Sequence, residues 1–302
     1  MGIVVAYLRE GSLQKIHSSH DYLSHGDLLR AFSNSPHVEY RHADFLFSGG
    51  EWQGHKWDDL GAGHPPPRAL VVGHSDTIVT EGVVQRIRDQ APIKTIFASN
   101  LAADAFILPG VFDLPLGIPN RDKSTKTHRV QSSRSVIQLG WVLSRRNAAQ
   151  NFRGVFANFT PNNNRNVRAP IVELVSNHEH LHPGNFRVSR SGRLNDFRKI
   201  AYWGMNICPA GNGPDTHRVW ETLLMGAFPV ILENDHVFRL LSSLSLPFVA
   251  LDSWTELEDK KFLSERFESL KKQDWNYTPL TSSFWVDRIT RPRPPGTEGN
   301  VS

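Results

Sequence analysis

The densest group of chemically capable residues lies in the run NICPAGNGPDTHRVWETLLMGAFPVIL, residues 206–232. Here a short glycine loop (Gly211, Asn212, Gly213) precedes Thr216, His217 and Arg218, and Glu221 follows one helical turn beyond the arginine. The run reads as strand, loop, helix, stop and strand: Pro214 suits a helix entry, Asp215 or Thr216 can cap the exposed amides, and Gly226 can take the left-handed turn that ends a helix. Amides at a helix N-terminus, together with hydroxyl, imidazole and guanidinium groups, are donors for phosphate oxygens. This spacing predicts a diphosphate cradle. A carboxylate on the same helical face as Arg218 accepts from hydroxyls, so Glu221 is expected to hold the two hydroxyls of a ribose.

Three further groups carry possible chemistry. Asp76 follows the apolar run Ala69 to Val72 in the order Gly73, His74, Ser75, Asp76. In a doubly wound fold the chemistry gathers at the carboxyl ends of strands, which makes Asp76 the candidate general base and His74 the second. His17, His20 and His25 cluster around Asp21 after the first apolar run and are candidate acceptor contacts. His178, Glu179 and His182 match the HExxH pattern of zinc proteases, but Pro183 and Gly184 end the helix where a metal-binding helix must continue. Asn158, Phe159 and Thr160 spell a glycosylation sequon that is expected to stay unmodified.

The elements that must position these groups alternate. Apolar runs at Ile3 to Leu8, Ala69 to Gly73 and Lys94 to Ala98 are separated by helical patterns at Asp27 to Phe32 and Glu81 to Asp89, the rhythm of a parallel sheet with crossover helices. The loop from Gly61 contains three consecutive prolines, and the polar stretch Arg121 to Thr127 reads as a domain boundary. A second α/β pattern follows. Its apolar runs are Val136 to Leu139 and Arg153 to Phe159, with a helix expected from Pro170 to Asn177 and strands at Asn206 to Cys208, Phe228 to Leu232 and Pro247 to Leu251. Ser253 and Glu256 have capping-box spacing ahead of a helix reaching Lys272. The expected domains are therefore 1–124 and 125–290, with a flexible tail at 291–302.

At 302 residues the chain can hold two α/β domains. Its mean hydropathy of −0.37 and the lack of a long apolar run argue against membrane insertion. A single cysteine, Cys208, excludes an intramolecular disulfide and, with no signal-peptide pattern, predicts a soluble cytoplasmic protein. The net charge of +4 is modest, but Arg129 to Arg198 holds eleven arginines and no lysine against three acidic residues. Such a surplus fits an anionic ligand. It equally motivates a basic nucleotide- or nucleic-acid-binding module without catalysis, although no helix-turn-helix, zinc-finger or RNP-like motif accompanies it.

The run CPAGNGPDTHRVWETLLMGAFPVIL closely resembles the donor-site motif of exostosin-like glycosyltransferases. VFANFTPNNNRNVR, PLGIPN and VVGHSDT resemble shorter pieces of the soluble microbial and viral branch. The strong match spans about a tenth of the chain. The resemblance implies two Rossmann-like domains facing a cleft, the glycosyltransferase-B arrangement, with the donor on the C-terminal domain and the acceptor on the N-terminal one. It also implies inverting transfer of a sugar from a nucleoside-diphosphate sugar, with UDP as the nucleotide and xylose the first candidate sugar, to an oligosaccharide or glycan. Arg218 would neutralise the diphosphate, Glu221 would hold the ribose, Gly211 to Gly213 would let backbone approach the phosphates, and Asn158 and Arg153 would belong to the donor site. Arginine and amides can stabilise the leaving group without metal, so neither a metal nor a bound cofactor is expected. Neither nucleic acid nor membrane is an expected partner.

Overall fold

The computed structural model describes residues 11–24, 27–28, 38–42, 69–73, 76, 78–90, 93–119, 134–145, 148–184, 190–233 and 236–291. The expected first strand at 3–8, the proline loop, the polar stretch 121–127 and the tail from 292 lie outside these residues. Internal contacts divide the chain into two compact units, Met1–Tyr22 with Gly117–Thr281, and Leu23–Leu116 with Ser282–Ser302. The change of unit thus falls after Leu116 rather than at 124. Neither unit is one continuous stretch: helix α1 (Gly11–Ser19) belongs with the later half of the chain.

The unit built around Leu23–Leu116 contains a parallel sheet of β1 (Val38–His42), β2 (Ala69–Gly73), β3 (Thr95–Ala98) and β4 (Val111–Asp113), in that spatial order. Helix α2 (Glu81–Gln90) links β2 to β3, and the single turn α3 (Ala103–Phe106) links β3 to β4. Alternation puts Leu70, Val72, Ile96 and Ala98 on one face, where they pack with Val83, Val84 and Ile87 of α2. Val71 and Phe97, which point the other way, are buried too, so both faces are covered and the strands read as unbroken apolar runs.

The other unit holds a second, five-stranded parallel sheet. After helix α4 (Arg134–Ser144) come β5 (Val155–Ala157), α5 (Arg165–Asn177), β6 (Leu181–Pro183), α6 (Arg190–Trp203), β7 (Met205–Ile207), α7 (His217–Leu224), β8 (Phe228–Leu232), α8 (His236–Ser243) and β9 (Val249–Leu251). The strands lie in the order β6-β5-β7-β8-β9, every neighbour parallel. Counted from β5 this is 2-1-3-4-5, a doubly wound order whose direction reverses between β5 and β7. Both units are Rossmann-like α/β.

Several local readings change. Val136 to Leu139 is part of α4 rather than a separate apolar run of its own, and Gly140 brings α4 close to α6, since a Cβ there would meet Phe197 Cβ at 2.8 Å. Helix α5 starts at Arg165, a turn before Pro170, so the proline sits inside it and its ring nitrogen cannot donate to the preceding turn. Ser253 and Glu256 cap a 3-10 turn, Trp254–Glu258, with the Glu256 carboxylate accepting from the Asp252 amide at 2.7 Å. The helix that follows, α9 (Lys260–Lys271), has its own N-cap, Asp259, which accepts from the Phe262 amide at 2.9 Å. No helix among the described residues is long and apolar enough to cross a membrane.

Candidate functional site: a cationic cavity at the carboxyl edge of the second sheet

Where the winding of a doubly wound sheet reverses, the loops leaving the two adjacent strands diverge and open a crevice at their carboxyl ends. The loops after β5 and β7 do so here. They line a cavity of about 270 Å³ with Asn158, Phe159, Thr160 and Asn163 on one side, and Thr216, His217, Arg218 and Glu221 on the other. Arg168 and Arg193 complete it, together with Pro119 from the segment PLGIPN.

The sequence fixes α7 on β7 through a buried polar lock. Asn206 donates to Thr222 Oγ1 at 3.0 Å, and Thr222 donates to the Arg218 carbonyl at 2.7 Å. Cys208 joins this group, and burial pushes its thiol up to about 11, so it stays protonated and packs rather than reacts. At the other end of the helix Gly226 takes the expected left-handed turn, with φ +68°. At the entry, Asp215 precedes the N-cap position. Its buried carboxylate accepts from the Trp220 indole at 2.9 and 3.1 Å. Thr216 is the N-cap residue, yet its hydroxyl makes no cap bond and is buried without a hydrogen-bond partner. His217 donates from Nδ1 to the Gly117 carbonyl at 2.7 Å.

Glu221 lies at the centre of a buried charge group. Its Oε1 is paired with Arg193 of α6, and its Oε2 lies 3.4 Å from Arg218 Nη1. Arg193 also lies 3.7 Å from Asp196. Burial lowers the Arg193 pKa against the opposing pull of Glu221, and raises that of Asp196 against Arg218 and Arg193. Arg168 is spent differently: it donates to the carbonyls of Ala210 (3.0 Å), Thr160 (3.0 Å) and Pro209 (3.2 Å), tying the two loops together. Carbonyls do not neutralise it. Of the charged residues lining the cavity, three are guanidiniums (Arg168, Arg193 and Arg218) and one is a carboxylate (Glu221), so the lining carries a net positive charge.

Asn158 supplies the second signature of a ligand. It is fully buried at the end of β5 and lines the cavity; its oxygen has no hydrogen-bond partner, while its amide nitrogen faces the Asp196 carboxylate without the geometry of a good hydrogen bond. Buried amides are paired in the great majority of cases, so an orphan amide oxygen beside an orphan threonine hydroxyl marks a place that a polar ligand completes.

Of the expected donor residues, the cavity brings together Asn158, Thr216, His217, Arg218 and Glu221. Gly211, Asn212 and Gly213 are not among its lining; Gly211 instead abuts Arg168, whose guanidinium would stand 3.1 Å from an added Cβ. Arg153 is misplaced for a physical reason: it precedes β5 and so lies at the amino edge of the sheet, with its guanidinium 4.2 Å from the centre of the Tyr202 ring. His17 is no acceptor contact, because its ring is buried, accepts from the Tyr22 hydroxyl at 2.8 Å, donates to the Leu224 carbonyl at 2.7 Å and stacks on Trp141. His20 is half-buried and bonded to Gln138 at 2.5 Å. His25 and His74 lie outside the described residues. Asp76 is exposed in a bend after β2, in the other unit.

The HExxH stretch does not form a helix. His178 terminates α5 in an extended conformation, Leu181–Pro183 is β6, and His182 stacks on Trp203 at 3.5 Å, so the two imidazoles do not lie one helical turn apart. The arginine surplus is no solvent-facing stripe at three of its positions either. Arg134 donates to the carbonyls of His20 and Tyr22, and Arg168 and Arg193 are buried, whereas Arg153 rests on Tyr202 and stays exposed. A scan against protein-family models matches no family, and a search of the curated proteins finds no significant similarity.

Proposed function

We propose that this protein is a glycosyltransferase that binds a nucleoside-diphosphate sugar in the cavity between the loops after β5 and β7. The observation that carries this reading is the meeting of a cationic cavity with the unpaired amide oxygen of Asn158 at the reversal of strand order. An anionic ligand offsets the surplus guanidinium charge, and its remaining polar groups satisfy Asn158 and Thr216. Transfer chemistry is supported by the resemblance of residues 208–232 to the exostosin-like donor motif. In this reading Arg218 stabilises charge on the departing diphosphate, and Glu221 accepts from the ribose. Asp76 is the proposed base and a glycan the proposed acceptor, with UDP-xylose the first donor to try.

The test is a thermal-shift panel of UDP, GDP, ADP and UDP-sugars, with and without EDTA. A ligand at a hundred times its dissociation constant adds about 2.7 kcal/mol of stability to the state that binds it. A rise in Tm with one nucleotide series, unaffected by EDTA, supports the reading. No rise with any nucleotide overturns it.

A further inference from the structure

We infer that Arg193 is a positioning residue that fixes the Glu221 carboxylate as a reader of paired ribose hydroxyls. The inference rests on the nucleotide reading above and concerns two residues of α6, Arg193 and Asp196, that the motif around Arg218 does not contain.

A carboxylate at the edge of a cationic cavity is free to rotate onto the nearest guanidinium, and it would then compete with the ligand's phosphates for Arg218. Here that rotation is opposed. Arg193 grips Oε1 from α6, while Oε2 stays 3.4 Å from Arg218 without the alignment of a hydrogen bond. Arg193 is itself held from the other side by Asp196, one turn along α6, and its guanidinium carbon lies 4.8 Å from the centre of the Phe197 ring. All three charged side chains of this chain of contacts are nearly inaccessible to solvent. Each carboxylate oxygen has two lone pairs, so Glu221 retains acceptor capacity after both arginine contacts. A carboxylate cannot face phosphate. What it can accept in an anion-binding cavity is a neutral donor, and two adjacent hydroxyls on one sugar match its two oxygens. The same arrangement leaves Arg218 Nη1, buried and without a hydrogen bond, to the anionic part of the ligand.

The experiment measures dissociation constants by calorimetry for UDP, GDP and ADP, each beside its 2′-deoxy counterpart, with inorganic pyrophosphate as the ribose-free probe. The proteins are wild type, Arg193→Lys, and the double variant Arg193→Met with Asp196→Leu. The double variant removes a buried cation and anion together and leaves Glu221 balanced by Arg218, so no charge is orphaned if the lysine variant fails to fold. In wild type the preferred nucleotide binds roughly tenfold to a hundredfold tighter than its 2′-deoxy form, the worth of one hydrogen bond to a charged group. In whichever variant folds, that ratio collapses toward one; a loss shared by a nucleotide, its 2′-deoxy form and pyrophosphate reads the altered cavity charge and cancels in the ratio, which loss of packing alone does not change. Wild type that binds nucleotide without preferring ribose overturns the inference and leaves the nucleotide reading intact, as does a folded variant with unchanged preference. Wild type that binds no nucleotide overturns both.

Discussion

The buried imidazole of His17 makes stability depend on pH in a direction that can be worked out in advance. Its Nε2 donates to the Leu224 carbonyl, which leaves Nδ1 of the neutral ring to accept from the Tyr22 hydroxyl. Burial is the main cause that lowers its pKa from 6.5 to about 4; the Leu224 carbonyl opposes this, and His20 and Arg145 add to it. A depressed histidine binds its proton more readily in the unfolded chain, so its contribution is fully present above pH 6.5 and is lost as pH falls toward 4. The full difference is worth about 3 kcal/mol, and about 2 kcal/mol of it is gone by pH 5. Urea unfolding of wild type and His17→Gln at pH 7.5 and pH 5.0 isolates this share, because every other titrating group is common to both proteins. The gap between them should narrow or reverse by about 2 kcal/mol on acidification. A gap independent of pH would refute the assignment and place the acid sensitivity elsewhere.

Gly140→Ala drives a Cβ to within 2.8 Å of Phe197 between α4 and α6, and should cost about 1–3 kcal/mol of stability by chemical denaturation. Arg218→Ala should lower kcat more than it weakens donor binding, because charge on the leaving diphosphate grows in the transition state; equal affinity and equal turnover in the variant would move the site. Asp76→Asn should leave the nucleotide-induced thermal shift unchanged while transfer falls at least ~100-fold, and transfer within a few-fold of wild type would remove Asp76 from catalysis.

Much of the donor-like segment is legible in the sequence because its signals are local. The left-handed Gly226, the strand at Phe228–Leu232 and the helix carrying Arg218 and Glu221 all follow from residues within a few positions of one another. Arg193 and Asp196 were not legible as site residues. They approach Glu221 only because α6 packs beside α7, and nothing in the sequence around them states that partner. The arginine surplus was the one available hint, but it could not separate Arg168, which bridges two loops, from Arg153, which sits at the opposite edge of the sheet. Asn158 stood in the sequence as a member of a sequon and a strand-end loop; its importance comes from burial with its oxygen unpaired, a property only packing reveals. Val136 to Leu139 illustrates a different limit, since a short apolar run fits a buried strand and a buried helix equally well.

During synthesis, helix α1 leaves the ribosome long before its partners exist. His17 is closed by a carbonyl 207 residues downstream, and Leu13 packs near Gly226, later still. At about 5–20 residues per second that separation corresponds to a wait of roughly 10–40 s. By then β1 through β4 have been fully translated, while the first helix of the other unit still has neither Trp141 nor Leu224 to dock against for most of the interval. A nascent chain arrested before residue 224 therefore presents Leu13 and Ile16, buried in the finished fold, to chaperones and proteases. The cationic unit can be sealed only after nearly all of it has been made, and its opening segment is among the last to find its place.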